Sequence, residues 1–289
     1  MALQQHFSKN SVAPPLEVPG GVYLCQVNEK VSCGACCGLY NVADTSKTTL
    51  TAVLKHRSDQ FRSTPRTVAA IDDFVRMVQK IESQQRPFPQ FHHCPFIGLI
   101  GEGEQRVGCL LHPLGQGNDG VDFRGLSYYG GLACRTYFCP STHTLPARFK
   151  RILCTCMEDW YAYGLIVTES ALLRALFHSL EAMLGRPLVP TLFEKNPQAG
   201  QRLSELLRLK IDWPHRPPDA DTPCHHFFLD ASYDKPAIDY TALGAPVSIF
   251  DEILVELVSG FHKPEELTDA ETRIEMALVS VVAALESSI

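Results

Sequence analysis

The segment Cys33-Gly34-Ala35-Cys36-Cys37 is the most informative stretch of the sequence. Thiols separated by two residues across a glycine-containing turn can converge on one metal ion or cluster, and cysteines from distant segments can complete the shell. Seven of the eleven cysteines fall between residues 33 and 139, the later ones being Cys94, Cys109, Cys134 and Cys139. Because burial of a small apolar side chain gives no reason for such tight spacing, the pattern predicts a metal-binding or redox-active region.

A disulfide framework fits this sequence poorly. The first 20 residues contain no basic start followed by an apolar core, so we expect a reducing, cytoplasmic compartment. A chain of 289 residues can bury a sizeable core without cross-links, and eleven cysteines cannot all pair within it.

Bulk composition narrows the class of protein without naming a reaction. Apolar residues make up 45% and charged residues 20% of the chain, as in ordinary globular proteins. The net charge of −6 and the pI near 6.0 predict no nucleic-acid partner. The most apolar stretch, residues 276–285, is far shorter than the roughly 20 residues that span a bilayer, so no membrane partner is predicted.

The sequence predicts a mainly α protein. Residues 1–24 read as an extended lead-in, residues 25–142 as a cysteine-rich, loop-rich metal-binding region, and residues 143–289 as a helical region on which it packs. Thr64 and Pro65 are typical of a helix start, and apolar residues at three- and four-residue steps extend that helix to about Gln84. Short strands and loops are expected between Pro87 and Tyr137. Further helices are predicted near 146–163, 170–184, 199–210, 247–258 and 269–287.

The cysteine spacing resembles that of a known family. Cys33-Gly-Ala-Cys36-Cys37 is followed by Cys94-Pro-Phe-Ile-Gly, Val-Gly-Cys109-Leu-Leu-His-Pro and Cys134-Arg-Thr-Tyr-Phe-Cys139. This order is similar to the YkgJ-type cysteine-cluster family, described as a zinc- or iron-chelating domain, over roughly residues 25–140. The resemblance implies a metal site made of Cys33, Cys36, Cys37, Cys94, Cys109 and Cys134. The chain departs from the family at Lys30, where many members have a further cysteine for which Cys25 could substitute from a different spacing, and in the long link from Leu110 to Ala133.

Within that set we expect one site with a core of Cys33, Cys36, Cys109 and Cys134. Cys37 and Cys94 are then additional ligands or neighbouring thiols. Adjacent residues rarely aim at the same atom, so Cys36 and Cys37 should differ in role.

Thiolate ligands suit zinc or an iron–sulfur cluster and disfavour magnesium and calcium. The Cys94-Pro95 and Cys139-Pro140 steps are typical of some iron–sulfur proteins, and a zinc ribbon would show two CxxC turns where this chain has one. The sequence therefore favours an iron–sulfur cluster, with zinc as the alternative.

Histidines offer mixed ligation as a further possibility. His92 and His93 precede Cys94, His112 follows Cys109, and His225 and His226 follow Cys224. Cys154 and Cys156 lie two apart on a predicted helix, where their side chains diverge by roughly 200°, so we expect them to be poor joint ligands.

Three functions remain open from the sequence. The first is metal binding through N-terminal thiolates. The second is a metalloenzyme or electron-transfer protein with substrate bound by the helical half, for which a pocket lined by Arg135, Tyr137 or His112 would be the sign. The third is thiol redox or metal handling through Cys36 and Cys37, which a labile metal and low thiol pKa values would favour. Nucleotide-binding, zinc-protease and nucleophile-elbow motifs are missing, and the sequence names neither a substrate nor a protein partner.

Overall fold

The computed structural model describes residues 18–82, 86–91, 93–218 and 237–287. The protein is mainly helical, as predicted. The helices are α1 (Lys47–Arg62), α2 (Val68–Ile81), α3 (Tyr128–Leu132), α4 (Pro140–Thr144), α5 (Ala147–Cys156), α6 (Trp160–Val167), α7 (Ser170–Leu184), α8 (Pro190–Glu194), α9 (Pro197–Asp212), α10 (Asp251–Glu256) and α11 (Pro264–Glu286). Strands β1 (Ile97–Ile100) and β2 (Arg106–Cys109) form an antiparallel hairpin.

The chain forms two compact units. The hairpin unit contains Cys37–Phe138, and the helical unit contains Pro19–Cys36 together with Cys139–Ile289. The chain passes from the hairpin unit back into the helical unit between Phe138 and Cys139. The sequence-based division was expected near residue 142. The expectation that residues 25–142 form one region differs from this division, because Val22, Leu24 and Val31 are buried in the core of the C-terminal helices.

The helical unit has a large apolar core. It joins Val22, Leu24 and Val31 to the buried faces of α5, α6, α7, α9 and α11. The rings of Phe149 and Phe177 lie 4.5 Å apart within it. Because the early segment supplies core residues, its cysteines are fixed against the helices.

The hairpin unit has a smaller, aromatic core. Phe61, Phe74 and Phe96 from α1, α2 and the segment before β1 pack with ring centroids 4.9–6.2 Å apart. Helix α1 was not predicted, because its apolar residues are sparse and its buried face includes Arg57 and Ser58. The Ser58 hydroxyl donates to the Leu99 carbonyl at 3.0 Å and accepts from the Leu99 N–H at 2.7 Å. Both backbone polar groups of Leu99, on the edge of β1 that faces α1, are therefore hydrogen-bonded.

Helix boundaries show where sequence signals were misread. Helix α2 begins after Thr67, whose hydroxyl accepts from the Ala70 N–H at 3.4 Å, and not after Thr64. The expected helix over 146–163 is two helices, because Asp159 caps α6 by accepting from the Ala162 N–H at 2.8 Å. Helix α7 ends at Leu184 before the left-handed Gly185, as predicted. No helix among the described residues is both long and apolar enough to cross a bilayer.

Candidate metal centre

A small hairpin brings Cys25 opposite Cys33. Gln26 and Ser32 form an antiparallel bridge, and the Cys33 N–H donates to the Cys25 carbonyl at 2.9 Å. The turn is closed by the Asn28 side chain, whose Oδ1 accepts from two backbone N–H groups at 2.9 Å. Side chains of directly opposed residues lie on the same face of such a pair, so this register places the two thiols together.

The CxxC segment continues from this hairpin as a tight turn. Ala35–Cys37 forms one turn of 3-10 helix, and the Ala35 N–H donates to Cys33 Sγ at 3.5 Å. Ala35 is buried, whereas Cys36 is exposed. An N–H directed at sulfur favours the thiolate, so the turn suits a metal-ligating cysteine.

Cys139 returns to this place from a distant part of the sequence, just before α4. Its sulfur lies 3.5 Å from Thr142 Oγ1. Burial raises the pKa of the Cys25 and Cys33 thiols, and the negative charges of Cys36 and Cys139 raise both further. These mutual effects show that Cys25, Cys33, Cys36 and Cys139 lie close enough to interact. We call them the four-thiol group.

Two buried polar side chains border the four-thiol group. The Tyr163 hydroxyl donates to the Leu24 carbonyl at 2.9 Å. Its pKa is raised, first by burial and then by the negative charges that Cys154, Cys33 and Cys25 would carry as thiolates. Lys150 Nζ donates to the Thr142 carbonyl at 2.8 Å, and although burial lowers its pKa, the Cys139 charge opposes that change. Lys150 thus places an ammonium group near Cys139.

A second group of cysteines lies in the hairpin unit. Cys109 ends β2 opposite Ile97, and the Cys94 N–H donates to the Cys37 carbonyl at 2.8 Å. The Cys134 carbonyl accepts from Arg124 Nη1 at 3.4 Å. Cys94, Cys109 and Cys134 line a single cleft of about 510 Å³, and we call them the three-thiol group.

As in the four-thiol group, burial and neighbouring cysteines raise a thiol pKa in the three-thiol group, but here a cation opposes the rise. Burial raises the pKa of Cys109, and the charges of Cys94 and Cys134 add to the rise. The Leu111 N–H and the Arg124 guanidinium act in the opposite direction. Arg124 is itself held by both carboxylate oxygens of Asp122, at 2.9 and 2.8 Å. The three-thiol group therefore has a fixed cation nearby.

A buried arginine anchors the backbone at Cys94. Arg57 Nη1 donates to the Cys94 carbonyl at 3.0 Å and to the Ile97 carbonyl at 3.3 Å, and its other nitrogens bind Glu82 and His93. Burial raises the pKa of Glu82, but the hydrogen bonds from Arg57 and His93 outweigh it and lower the pKa to about 2. This network holds Cys94 at the base of the hairpin.

The histidines considered as ligands do not fit that role. His93 Nδ1 donates to the Gly38 carbonyl at 3.0 Å, and its Nε2 lies 2.8 Å from Arg57 Nη2 and 3.8 Å from Glu82 Oε2, so both nitrogens are used. His112 Nδ1 accepts the Leu114 N–H at 3.1 Å, which leaves the proton on Nε2. A ligating histidine donates one ring N–H to an acceptor and keeps the other nitrogen for the metal, an arrangement that neither His93 nor His112 shows. His92, His225, His226 and Cys224 lie outside the described residues.

The six cysteines implied by the family resemblance divide between the units. Cys33 and Cys36 belong to the helical unit, and Cys37, Cys94, Cys109 and Cys134 to the hairpin unit. Neither unit contains the whole expected core of Cys33, Cys36, Cys109 and Cys134. Cys36 is a member of the four-thiol group, whereas Cys37 packs against the aromatic core of the hairpin unit.

Cys25 and Cys139 were missing from the expected set. The signal for Cys25 was available, because a turn-forming Asn28 lies between Cys25 and Cys33 and predicts a hairpin that pairs them. For Cys139, nothing in the local sequence indicated its partners. Cys156 is buried in the helical core, and Cys154 is half-buried beside Tyr163, so the two diverge as expected.

The donor chemistry of both groups fits a soft metal. All donors are sulfur, and their mutual repulsion would be relieved by a bound cation. Among the residues that the structure describes, however, no three His, Cys, Asp or Glu side chains are already arranged as ligands of one metal ion. Metal binding would therefore require the thiols of a group to move closer together.

The chain matches no family model, no curated protein and no solved structure with which it was compared. The resemblance to the cysteine-cluster family therefore rests on the motifs alone. The cleft in the hairpin unit is not lined by Arg135, Tyr137 or His112, the residues named as the sign of a metalloenzyme.

Proposed function

We propose that this protein binds an iron–sulfur cluster through cysteine thiolates, with zinc as the second candidate, and that the four-thiol group is its principal site. The observation that carries the proposal is the hairpin register that sets Cys25 opposite Cys33 next to the Cys33–Cys36 turn, with Cys139 from a remote segment acting on the pKa of both thiols. A bound cation would stabilise the thiolate forms of these cysteines, which burial and mutual repulsion otherwise disfavour.

The local turns support thiolate ligation. Cys33 and Cys109 each have the N–H of the residue two positions later directed at their sulfur. Such N–H groups stabilise a ligating thiolate without adding a competing ligand. The Cys139-Pro140 step favours iron–sulfur, and four cysteines suit either a cluster or a tetrahedral zinc ion.

The alternative functions have less support. Thiol redox chemistry needs a low thiol pKa. Burial raises the pKa of Cys154 to about 11 and of Cys156 to about 12 and also raises those of Cys25, Cys33, Cys109 and Cys139, which disfavours these six as redox thiols. An electron-transfer or catalytic role would use the same thiols and is compatible with a bound cluster. A cytoplasmic location remains an expectation based on the use of reduced cysteines.

Anaerobic purification followed by iron, zinc and sulfide analysis tests the proposal. We expect a stoichiometric metal in the native protein and its loss in the Cys33→Ser/Cys36→Ser double variant. The matched control is Cys156→Ala, which changes a buried cysteine of the same unit and should leave the metal content unaltered. Brown protein with visible charge-transfer absorption identifies the cluster, and colourless protein with zinc identifies the alternative. Native protein without bound metal would contradict the proposal.

A further inference from the structure

We propose that the cleft of the hairpin unit is a binding site for a small aromatic carboxylate, whose carboxylate pairs with Arg86 and whose ring lies against the aromatic lining. This inference goes beyond the proposed function and does not depend on it, because the whole four-thiol group belongs to the helical unit. It needs no metal ion in the cleft and gives the hairpin unit a task of its own.

An arginine without a partner carries the inference. Arg86 lines the cleft and is half-buried, and it makes no hydrogen bond or ion pair within the described part of the chain. Every other arginine of the hairpin unit has a polar, charged or aromatic partner there. Holding a guanidinium partly out of water without a partner costs free energy, which a bound anion would offset. The planar fork of its N–H groups matches the two oxygens of a carboxylate.

The segment that carries Arg86 is fixed on the hairpin unit. Pro87 follows it and favours an extended backbone at Arg86. The Phe88 N–H donates to Asn41 Oδ1 at 3.0 Å, and the Phe88 carbonyl accepts from Asn41 Nδ2 at 2.8 Å. Asn41 is fully buried, so this pair of hydrogen bonds anchors the segment. The rings of Phe88 and Phe91 pack edge to face with centroids 5.9 Å apart, and Phe91 lines the cleft.

A second part of the aromatic lining is held by a tight turn. Tyr128 and Tyr129 pack edge to face with centroids 5.3 Å apart, and both line the cleft. A Cβ at Gly130 would lie 2.1 Å from the Arg124 carbonyl oxygen, so only glycine permits this turn. The Ser127 hydroxyl accepts from the Gly130 N–H at 3.1 Å and fixes it further. Tyr128 is 76% exposed, which leaves much of its ring free to contact a ligand.

The rest of the lining is largely apolar and favours a ring as the body of the ligand. Phe96 and Val75 contribute to it, and so do the three cysteines of the three-thiol group, whose free thiols act as small apolar groups. The cleft volume of about 510 Å³ is within the range of small-molecule sites. Aromatic side chains pack favourably against a planar aromatic body.

An acidic residue limits the charge of the ligand. Asp72 also lines the cleft and lies near the start of α2, whereas Arg86 follows the end of that helix. The lining residues of α2 extend from Ile71 to Gln79, which is about 12 Å at 1.5 Å per residue. A second carboxylate on the ligand would be repelled near Asp72, so one carboxylate is preferred over two.

Isothermal titration calorimetry of the full-length chain with phenylacetate tests the inference. We expect saturable binding, and at least about tenfold weaker binding of phenylacetamide, which keeps the ring but carries no charge. Arg86→Gln should weaken phenylacetate binding by a similar factor and remove the preference for the acid over the amide. The matched control is Arg76→Gln, which removes the same charge from an exposed arginine outside the cleft lining and should leave binding unchanged.

The aromatic lining and the charge of Asp72 have separate tests. Tyr128→Ala should weaken the binding of both probes by about threefold to tenfold. Tyr137→Ala is its control, since Tyr137 is outside the cleft lining. Para-phenylenediacetate, which has a second carboxylate, should bind more weakly than phenylacetate, and Asp72→Asn should remove that difference. Tighter binding of the diacid by the native protein would refute the preference for one carboxylate.

The inference is overturned if phenylacetate does not bind, if the acid and the amide bind equally, or if Arg86→Gln leaves phenylacetate binding unchanged. A circular dichroism spectrum like that of the native protein establishes that Arg86→Gln is folded. Metal analysis of the same samples separates this inference from the proposed function, because Arg86→Gln should keep the metal content of the native protein. Native protein that binds phenylacetate but contains no metal would contradict only the proposed function.

Discussion

The helical and hairpin units place a cysteine in the same kind of local turn, but different surroundings support that turn. In each unit a β pairing places one cysteine, and the N–H of the second residue after it is directed at its sulfur, at Cys33 and at Cys109. The helical unit fixes its thiols on a large apolar core, whereas the hairpin unit fixes them on a small aromatic core and a buried arginine network. This contrast predicts that the two units respond differently to mutation and to pH.

The largest effect should come from the core of the helical unit. Phe177 is fully buried against Phe149, and Phe177→Ala should lower the free energy of unfolding by about 4 kcal/mol, because it leaves a cavity in a close-packed core. Trp160 and Trp213 lie in this unit, so tryptophan fluorescence during urea denaturation measures the change. Met276→Ala, on the exposed side of α11, should change stability by less than about 0.5 kcal/mol. Equal effects of the two changes would contradict this description of the core.

In the hairpin unit, a comparable loss should come from a charged residue. Arg57 is 1% exposed, and Arg57→Met should cost about 3 kcal/mol, because it leaves the Glu82 carboxylate and two carbonyls without their donor. Hydrogen exchange of residues 93–111 in increasing urea measures the loss. Arg76→Met is the control, since Arg76 is 67% exposed and pairs only with the exposed Asp73 among the ion pairs of the described residues. Unchanged exchange in Arg57→Met would show that the network is not needed to hold Cys94.

The smallest effect is a pH dependence confined to the hairpin unit. The pKa of Glu82 is lowered from 4.5 to about 2, so the group adds stability above about pH 4.5 and loses that contribution as the pH falls toward 2. The contribution is at most about 3 kcal/mol at 1.36 kcal/mol per pKa unit. Exchange of residues 93–111 at pH 6, 4 and 3 follows it, and Glu82→Gln should flatten the profile. A profile that is as steep in Glu82→Gln as in the native protein would assign the acid sensitivity to another group.

Particular elements show which sequence signals were reliable. Helix α7 was predicted with both ends because it combines a long apolar periodicity with Gly185, and each is a local property. Helix α1 was missed because its buried face is partly polar and becomes favourable only when Arg57 and Ser58 meet the carbonyls of the hairpin. The position of Cys25 beside Cys33 follows from a local turn signal, whereas the position of Cys139 depends on a contact between distant segments.

The sequence by itself determined that the protein is mainly helical, that its thiols are concentrated early in the chain and that Cys33 and Cys36 share a turn, because helix periodicity and turn chemistry act over a few residues. Only the tertiary structure decided that the unit boundary falls between Cys36 and Cys37, that Cys139 joins Cys25 and Cys33, and that Cys94, Cys109 and Cys134 line a common cleft. These are contacts between segments far apart in sequence. They depend on the burial of Val22, Leu24 and Val31 among the helices and on the hydrogen bond from Arg57 to the Cys94 carbonyl. The spacing of the cysteines in the sequence does not encode either interaction.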